Sequence, residues 1–485
     1  MLRCIPCRGR STARSVVVTL AIGLAASLGA AQTDIDQAPA PTSPGWGALT
    51  ATHPVGFRIL RVEDPVRRYG PRPGTGDWTF GPRPLQLAVW YPATEAANTE
   101  TPMPMRAFVR LLATEFAAED GTPAAFVEAE RDPLYGRINP SIPEGEPEEA
   151  ALERLFETPT MARRDTHPAP GPWPIVLHTG IPYTQTLLNE YLASQGYVVV
   201  GVPLMGTSPA WRGRGEPGPE MWEAMTRDLA VAATHASKLP FADGDRTAVV
   251  GMLAGSGLLY AMRNPGLDAV ALLDAWLPEA LRGLPGWSTA AVRIPLLDLR
   301  NTVPGRSDGD VLDQMAYAPG WRVQLDSLTH PDFYPFPRYM NPDRADDLHP
   351  AYAVIARYTH AFLDSVLKRD DAANEWLGRH PANHSAPAMP GTVELRRAVP
   401  AAPRPETLLT WARYGRADEV LAEVRTSLNG DPEALPVDPA ALLTIARFLM
   451  RDQERAEAIT VARTVLLLDA DNEIAEQIAN ADSAD

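Results

Sequence analysis

The chain has 485 residues, 45% of them hydrophobic, two cysteines and a formal charge of −16. An acidic surface of that size argues against a nucleic-acid partner and against an anionic membrane, while the length allows a large core and a second small domain. Both cysteines, Cys4 and Cys7, precede the first apolar run, so the rest of the chain has no disulfide, no thiolate metal site and no Cys nucleophile.

Arg3, Arg8, Arg10 and Arg14 form a basic start, Val16 to Leu28 is apolar, and Gly29-Ala30-Ala31 precedes Gln32. That layout predicts a secretory signal peptide over residues 1–31, removed on export to the periplasm or the outside. The apolar run falls short of the roughly 20 residues a membrane span needs, and no later segment reaches that length. No integral membrane segment is expected after cleavage; the alternative is an N-terminal anchor that stays attached.

Residues 32–52 read as a flexible leader, and residues 53–370 as one α/β domain. Gly56–Val62 and Leu85–Tyr91 predict an antiparallel start to a sheet. Residues 101–170 carry helical patterns at Met105–Glu119, Ala124–Arg131 and Glu148–Glu157, broken by proline, and read as an insertion or cap. From Trp173 the rhythm is strand, helix, strand: strands at Ile175–Leu177, Tyr197–Val202, Ala248–Val250, Ala269–Leu273, Pro295–Leu299 and Val323–Leu325, with helices at Thr186–Gln195, Glu220–Lys238 and Pro350–Lys368. Such alternation predicts a mostly parallel sheet with helices on both faces. Residues 371–404 are polar and proline-rich and are expected to be a linker. In residues 405–485, Leu408 to Arg413 (LLTWAR) recurs as Leu442 to Arg447 (LLTIAR), an offset of 34. That period predicts tetratricopeptide-like helical repeats; two ordinary helical hairpins are the alternative.

The chemistry is concentrated in residues 245–257 (DRTAVVGMLAGSG). A nucleophile elbow is a strand, a tight turn and a helix with the pattern Gly-x-Ser-x-Gly. Gly251 and Gly255 take the glycine places, and Leu253 stands where the serine belongs. Leu272 to Pro278 (LLDAWLP), Arg293-Ile294-Pro295-Leu296, Leu328 to Phe333 (LTHPDF) and Trp173–Tyr197 lie in register with it. Together these segments resemble the platelet-activating-factor acetylhydrolase and dienelactone-hydrolase-like α/β-hydrolases over about residues 50–370. The resemblance implies the α/β-hydrolase fold, Asp274 as the acid and His330 as the base. It also places the oxyanion donors at the amides of Ile181 and Ala254, although Thr179-Gly180-Ile181-Pro182 replaces the family's His-Gly-Leu-Gly run. The alternative for the pair is that Asp274 caps a loop and His330 is a partly buried loop histidine.

Ser256 is the substitute nucleophile to consider, but it falls three residues past the elbow position, in the first turn of a helix. His380 and His384 have helical spacing with Pro381 between them, so no metal site is expected. No phosphate or dinucleotide motif is present, and no cofactor is implied. Trp211 and Arg212 read as loop residues or as the rim of a pocket. Two functions follow. The first is an exported pseudohydrolase that binds an acyl or ester-like small molecule, or a protein partner through the C-terminal repeats. The second is a carboxylic-ester or phospholipid deacylase working through Ser256 or a water activated by His330. A third reading gives the function to the helical repeats, with the α/β domain as scaffold.

Overall fold

Val198, Val199 and Val200 are buried on both faces of their strand, as a central parallel strand requires. The computed structural model describes residues 49–69, 81–114, 145–180, 182–204, 218–252, 255–275, 277, 279–301, 311–326, 328–340, 345–383, 389–398, 403–430 and 432–481. The predicted signal peptide, the leader to residue 48 and the expected helix at 124–131 lie outside these residues, as does the end of the helix expected over 105–119.

Ten strands form one sheet: β1 (Val55–Tyr69), β2 (Gly81–Pro92), β3 (Ala162–Arg164), β4 (Trp173–Thr179), β5 (Val198–Gly201), β6 (Ala242–Gly251), β7 (Ala269–Leu273), β8 (Leu296–Asn301), β9 (Gly320–Leu325) and β10 (Gly391–Arg396). Their order is β10-β9-β8-β7-β6-β4-β5-β2-β1-β3. The block from β5 to β9 is parallel, whereas β1 with β2, β2 with β5 and β9 with β10 are antiparallel. From β4 the chain moves to one side of the sheet and from β6 to the other. The crevice between the carboxyl ends of those two strands is therefore the place where such a sheet binds ligands.

The pleat divides the core in two. Val176, Val199, Val250 and Leu273 face α3 (Thr186–Ser194) and α6 (Ala345–Leu367), together with α1 (Met105–Thr114) and α2 (Glu148–Glu157). Leu177, Val200, Val249 and Leu272 face α4 (Pro219–Ala236) and α5 (Gly255–Arg263). The predicted α2 coincides with the observed helix, and α6 starts five residues before Pro350.

Two boundaries are corrected. Residues 371–404, expected as a linker, carry the helix α7 (Asp371–Leu377), capped by the Asp370 side chain, and the edge strand β10. The Thr392-Val393-Glu394-Leu395 run alternates only weakly, with Val393 partly buried and Leu395 exposed, so its pairing with β9 rather than its pattern makes it a strand. The segment 101–170 is also more than a cap: β3 pairs with β1, and Met105, Phe108, Leu155 and Ala162 enter the main core.

The C-terminal region holds α8 (Pro405–Arg413), α9 (Ala417–Gly430), α10 (Pro439–Arg451), α11 (Arg455–Leu468) and α12 (Glu473–Ala479), with a core of its own. α8 and α10 start 34 residues apart, but α9 and α11 start 38 apart. The repeat is regular in its first helices only. α9 lies against Thr289–Ala291 of the sheet domain.

Candidate active site

β4 ends at Thr179, in register with Gly251 at the end of β6. Gly251 has φ 152°, and a Cβ there would lie 2.2 Å from the Thr179 carbonyl oxygen. Only glycine lets the two strand ends pass this closely. Gly255 opens α5 under a milder, side-chain constraint, since a Cβ would meet the Leu281 methyl at 2.7 Å and the Trp222 ring at 3.3 Å. Gly251→Ala is therefore expected to cost about 2 kcal/mol or more of stability through strain and overpacking. Urea unfolding measures it, and a loss below about 0.5 kcal/mol would contradict the close approach.

Between the two glycines the sequence places Leu253 and Ala254; both lie outside the described residues, as does Ile181. Ser256 is the second residue of α5 and is fully buried, its carbonyl accepting a hydrogen bond from Thr226 at 3.4 Å. With Thr179, Gly180, Leu204 and Met225 it lines a small crevice at the ends of β4 and β5.

Asp274 follows β7 directly and adopts φ 46°, a left-handed conformation that Asp tolerates better than most residues. His330 opens a short 3-10 turn, His330–Phe333. Its Nδ1 lies 2.5 Å from Asp274 Oδ2. The carboxylate accepts, so Nδ1 carries the proton, and in the neutral form of such a ring Nε2 is the acceptor nitrogen. The turn is fixed by the Asp332 carboxylate, which accepts from the Thr329 amide at 2.8 Å and the Thr329 hydroxyl at 2.7 Å. The Asp332 amide in turn donates to the Thr329 carbonyl at 3.0 Å and closes the turn.

Gln185, buried at the end of the turn Pro182–Gln185, joins the parts. Its amide donates to the Phe333 carbonyl at 2.9 Å and lies 3.5 Å from the Met252 sulfur. Its carbonyl accepts from Tyr352 at 2.7 Å. One side chain thus ties the β4 turn to the elbow, the histidine turn and α6.

Gln185, Thr329, Asp332 and Asn301 were not singled out in the sequence. The Thr-x-x-Asp spacing at 329–332 is the one local signal among them. His178, in β4, is also new; burial pushes its imidazole down to about 3, so it stays neutral at ordinary pH and is no acid or base there. His380 is exposed and accepts from the Ala382 amide, while His384, Trp211 and Arg212 lie outside the described residues. Among the described residues no group of three or more side chains suited to a metal occurs.

No protein-family model and no curated protein matches the chain. A solved structure does: the ferulic acid esterase from Streptomyces cinnamoneus superposes with a TM-score of 0.50 at 19% identity, over 73% of this chain and 99% of that one. The chain has the α/β-hydrolase fold. Gly251, Asp274 and His330 follow one another along the chain at or just past the ends of β6, β7 and β9, on the carboxyl side of the parallel strands.

Proposed function

We propose that this protein is an exported, non-hydrolytic α/β-hydrolase that binds an acyl or ester-like small molecule at the Asp274–His330 end of the sheet. Its C-terminal helices would present a face to a protein partner. The observation that carries the reading is at the elbow. The frame is kept by Gly251 and Gly255, yet the residue between them is Leu253, which has no nucleophile and no proton to give up. Losing the nucleophile costs on the order of 10⁶-fold in rate in a serine protease. The basic, apolar and small-residue order of residues 1–31 supports export, and among the described residues no helix is long and apolar enough to cross a membrane.

The 2.5 Å Asp274–His330 contact favours a second reading, slow ester hydrolysis by a water that His330 activates. General base catalysis contributes about 10²–10⁴-fold, well short of what is lost. Burial of Ser256 inside α5 speaks against its use as the nucleophile.

The test is a fluorophosphonate probe together with p-nitrophenyl acetate and methyl ferulate, on the natural chain and on Leu253→Ser. The natural chain is expected to stay unlabelled and silent, and Leu253→Ser to be labelled. Labelling or turnover by the natural chain that disappears in Ser256→Ala overturns the proposal. Turnover that survives Ser256→Ala but not His330→Asn establishes the water route instead.

A further inference from the structure

We propose that Asn301 is a positioning residue for the acid–base pair, its side-chain amide fixing the Asp274 carboxylate in the orientation that receives His330. The proposal rests on the reading of Asp274 and His330 as the retained acid and base, and goes beyond it by naming what keeps them aligned.

The carboxylate of Asp274 is bridged by one residue. The Asn301 backbone N–H donates to Oδ1 at 3.2 Å, and the Asn301 side-chain amide donates to Oδ2 at 3.1 Å. Oδ2 also receives His330 Nδ1 at 2.5 Å. An Asp carboxylate on a single anchor turns easily, because its terminal torsion is broad and roughly two-fold. Anchors on both oxygens from the same residue remove that freedom. The backbone is held at the same place: the Asp274 amide donates at 2.6 Å to the carbonyl of Leu299, two residues before Asn301 on β8. The end of β8 therefore grips Asp274 by main chain and side chain together and stabilises its left-handed φ.

The chemistry selects asparagine. A carboxylate only accepts, so Asn301 must offer its NH₂ group. An Asp at 301 would set two carboxylates against each other, and a Leu would keep the backbone donor to Oδ1 but remove the side-chain anchor from Oδ2. Asp274 and Asn301 are both more than 90% buried, where hydrogen bonds are stronger and unmade ones more costly. Oδ2 also shares its electron density between Asn301 and His330. Asn301 thus governs the strength of the imidazole contact as well as its direction, and through it the tautomer that puts an acceptor nitrogen at Nε2.

The experiment reads the imidazole proton, which needs no turnover. In the full-length chain the His330 Nδ1–H is expected as a downfield proton resonance, assigned by its loss in His330→Asn. In Asn301→Leu it is expected to shift and to exchange with water roughly tenfold faster or more. Asn301→Ala gives the same reading if Asn301→Leu does not fold. A folded variant whose resonance and exchange rate match the natural chain overturns the proposal and leaves the pair standing. A natural chain with no such resonance overturns the reading of the pair, and the proposal with it.

Discussion

Asp228→Ala is expected to lower the unfolding free energy by about 3–5 kcal/mol, the cost of stranding a buried charge. Asp228 is on α4 and almost fully buried. It accepts from Arg83 Nε at 2.8 Å and Nη2 at 2.6 Å, and from Arg67 Nη2 at 2.6 Å. Arg67 has a second acceptor in Asp64 at 2.5 Å, so it tolerates the loss. Arg83 does not: it is 2% exposed, and its guanidinium lies over the Tyr69 ring. The truncation leaves a cation inside without its counterion. Urea unfolding at pH 7 measures the loss. Replacing both partners, as Arg83→Met with Asp228→Leu, is expected to recover most of it, because the desolvation of both charges disappears with them. A single-variant loss under about 1 kcal/mol would show that water reaches Arg83.

Glu190 gives the second large effect, one that depends on pH. It is fully buried on α3 and accepts from the consecutive amides of Met161 at 2.9 Å and Ala162 at 3.0 Å. The nearby Arg163 also attracts its charge. These contacts favour the ionised form, but burial outweighs them and pushes the carboxyl up to about 7 from an ordinary 4.5. A carboxyl raised on folding contributes stability that is fully present below the unfolded value and is lost as pH rises through the folded value. Between pH 4.5 and about 7 the folded chain binds the extra proton, so stability falls with rising pH, by about 3 kcal/mol in all. The difference between the natural chain and Glu190→Gln, followed by urea unfolding from pH 5 to 8, isolates this group. A difference that stays flat with pH would mean that Glu190 is ionised throughout the range.

The fold was legible where one physical demand dominates. Tyr197 to Val202 can only be a strand buried on both faces, and Gly196 ends the helix before it. The elbow glycines were legible because a tight strand-to-helix turn requires them. β10 was not, because its six residues sit between prolines and alternate weakly, and their strand character comes from the edge that β9 offers. β3 has three residues and no pattern of its own. The candidate site divides in the same way. Asp274 and His330 sit in segments with a recognisable order. Asn301 and Gln185 act on partners that folding brings together, Asn301 from 27 residues away and Gln185 from 148, and neither leaves a local trace.

The antiparallel pairing of β10 with β9 decides where this protein can be divided. A chain ended after Lys368, at the apparent close of the α/β domain, would bare the outer rim of β9 from Trp321 to Leu325. Those amides and carbonyls would then be a template for a strand from another molecule, and edge-to-edge association would be favoured. A division after Arg396 keeps the rim covered, so the helical region is best regarded as beginning there.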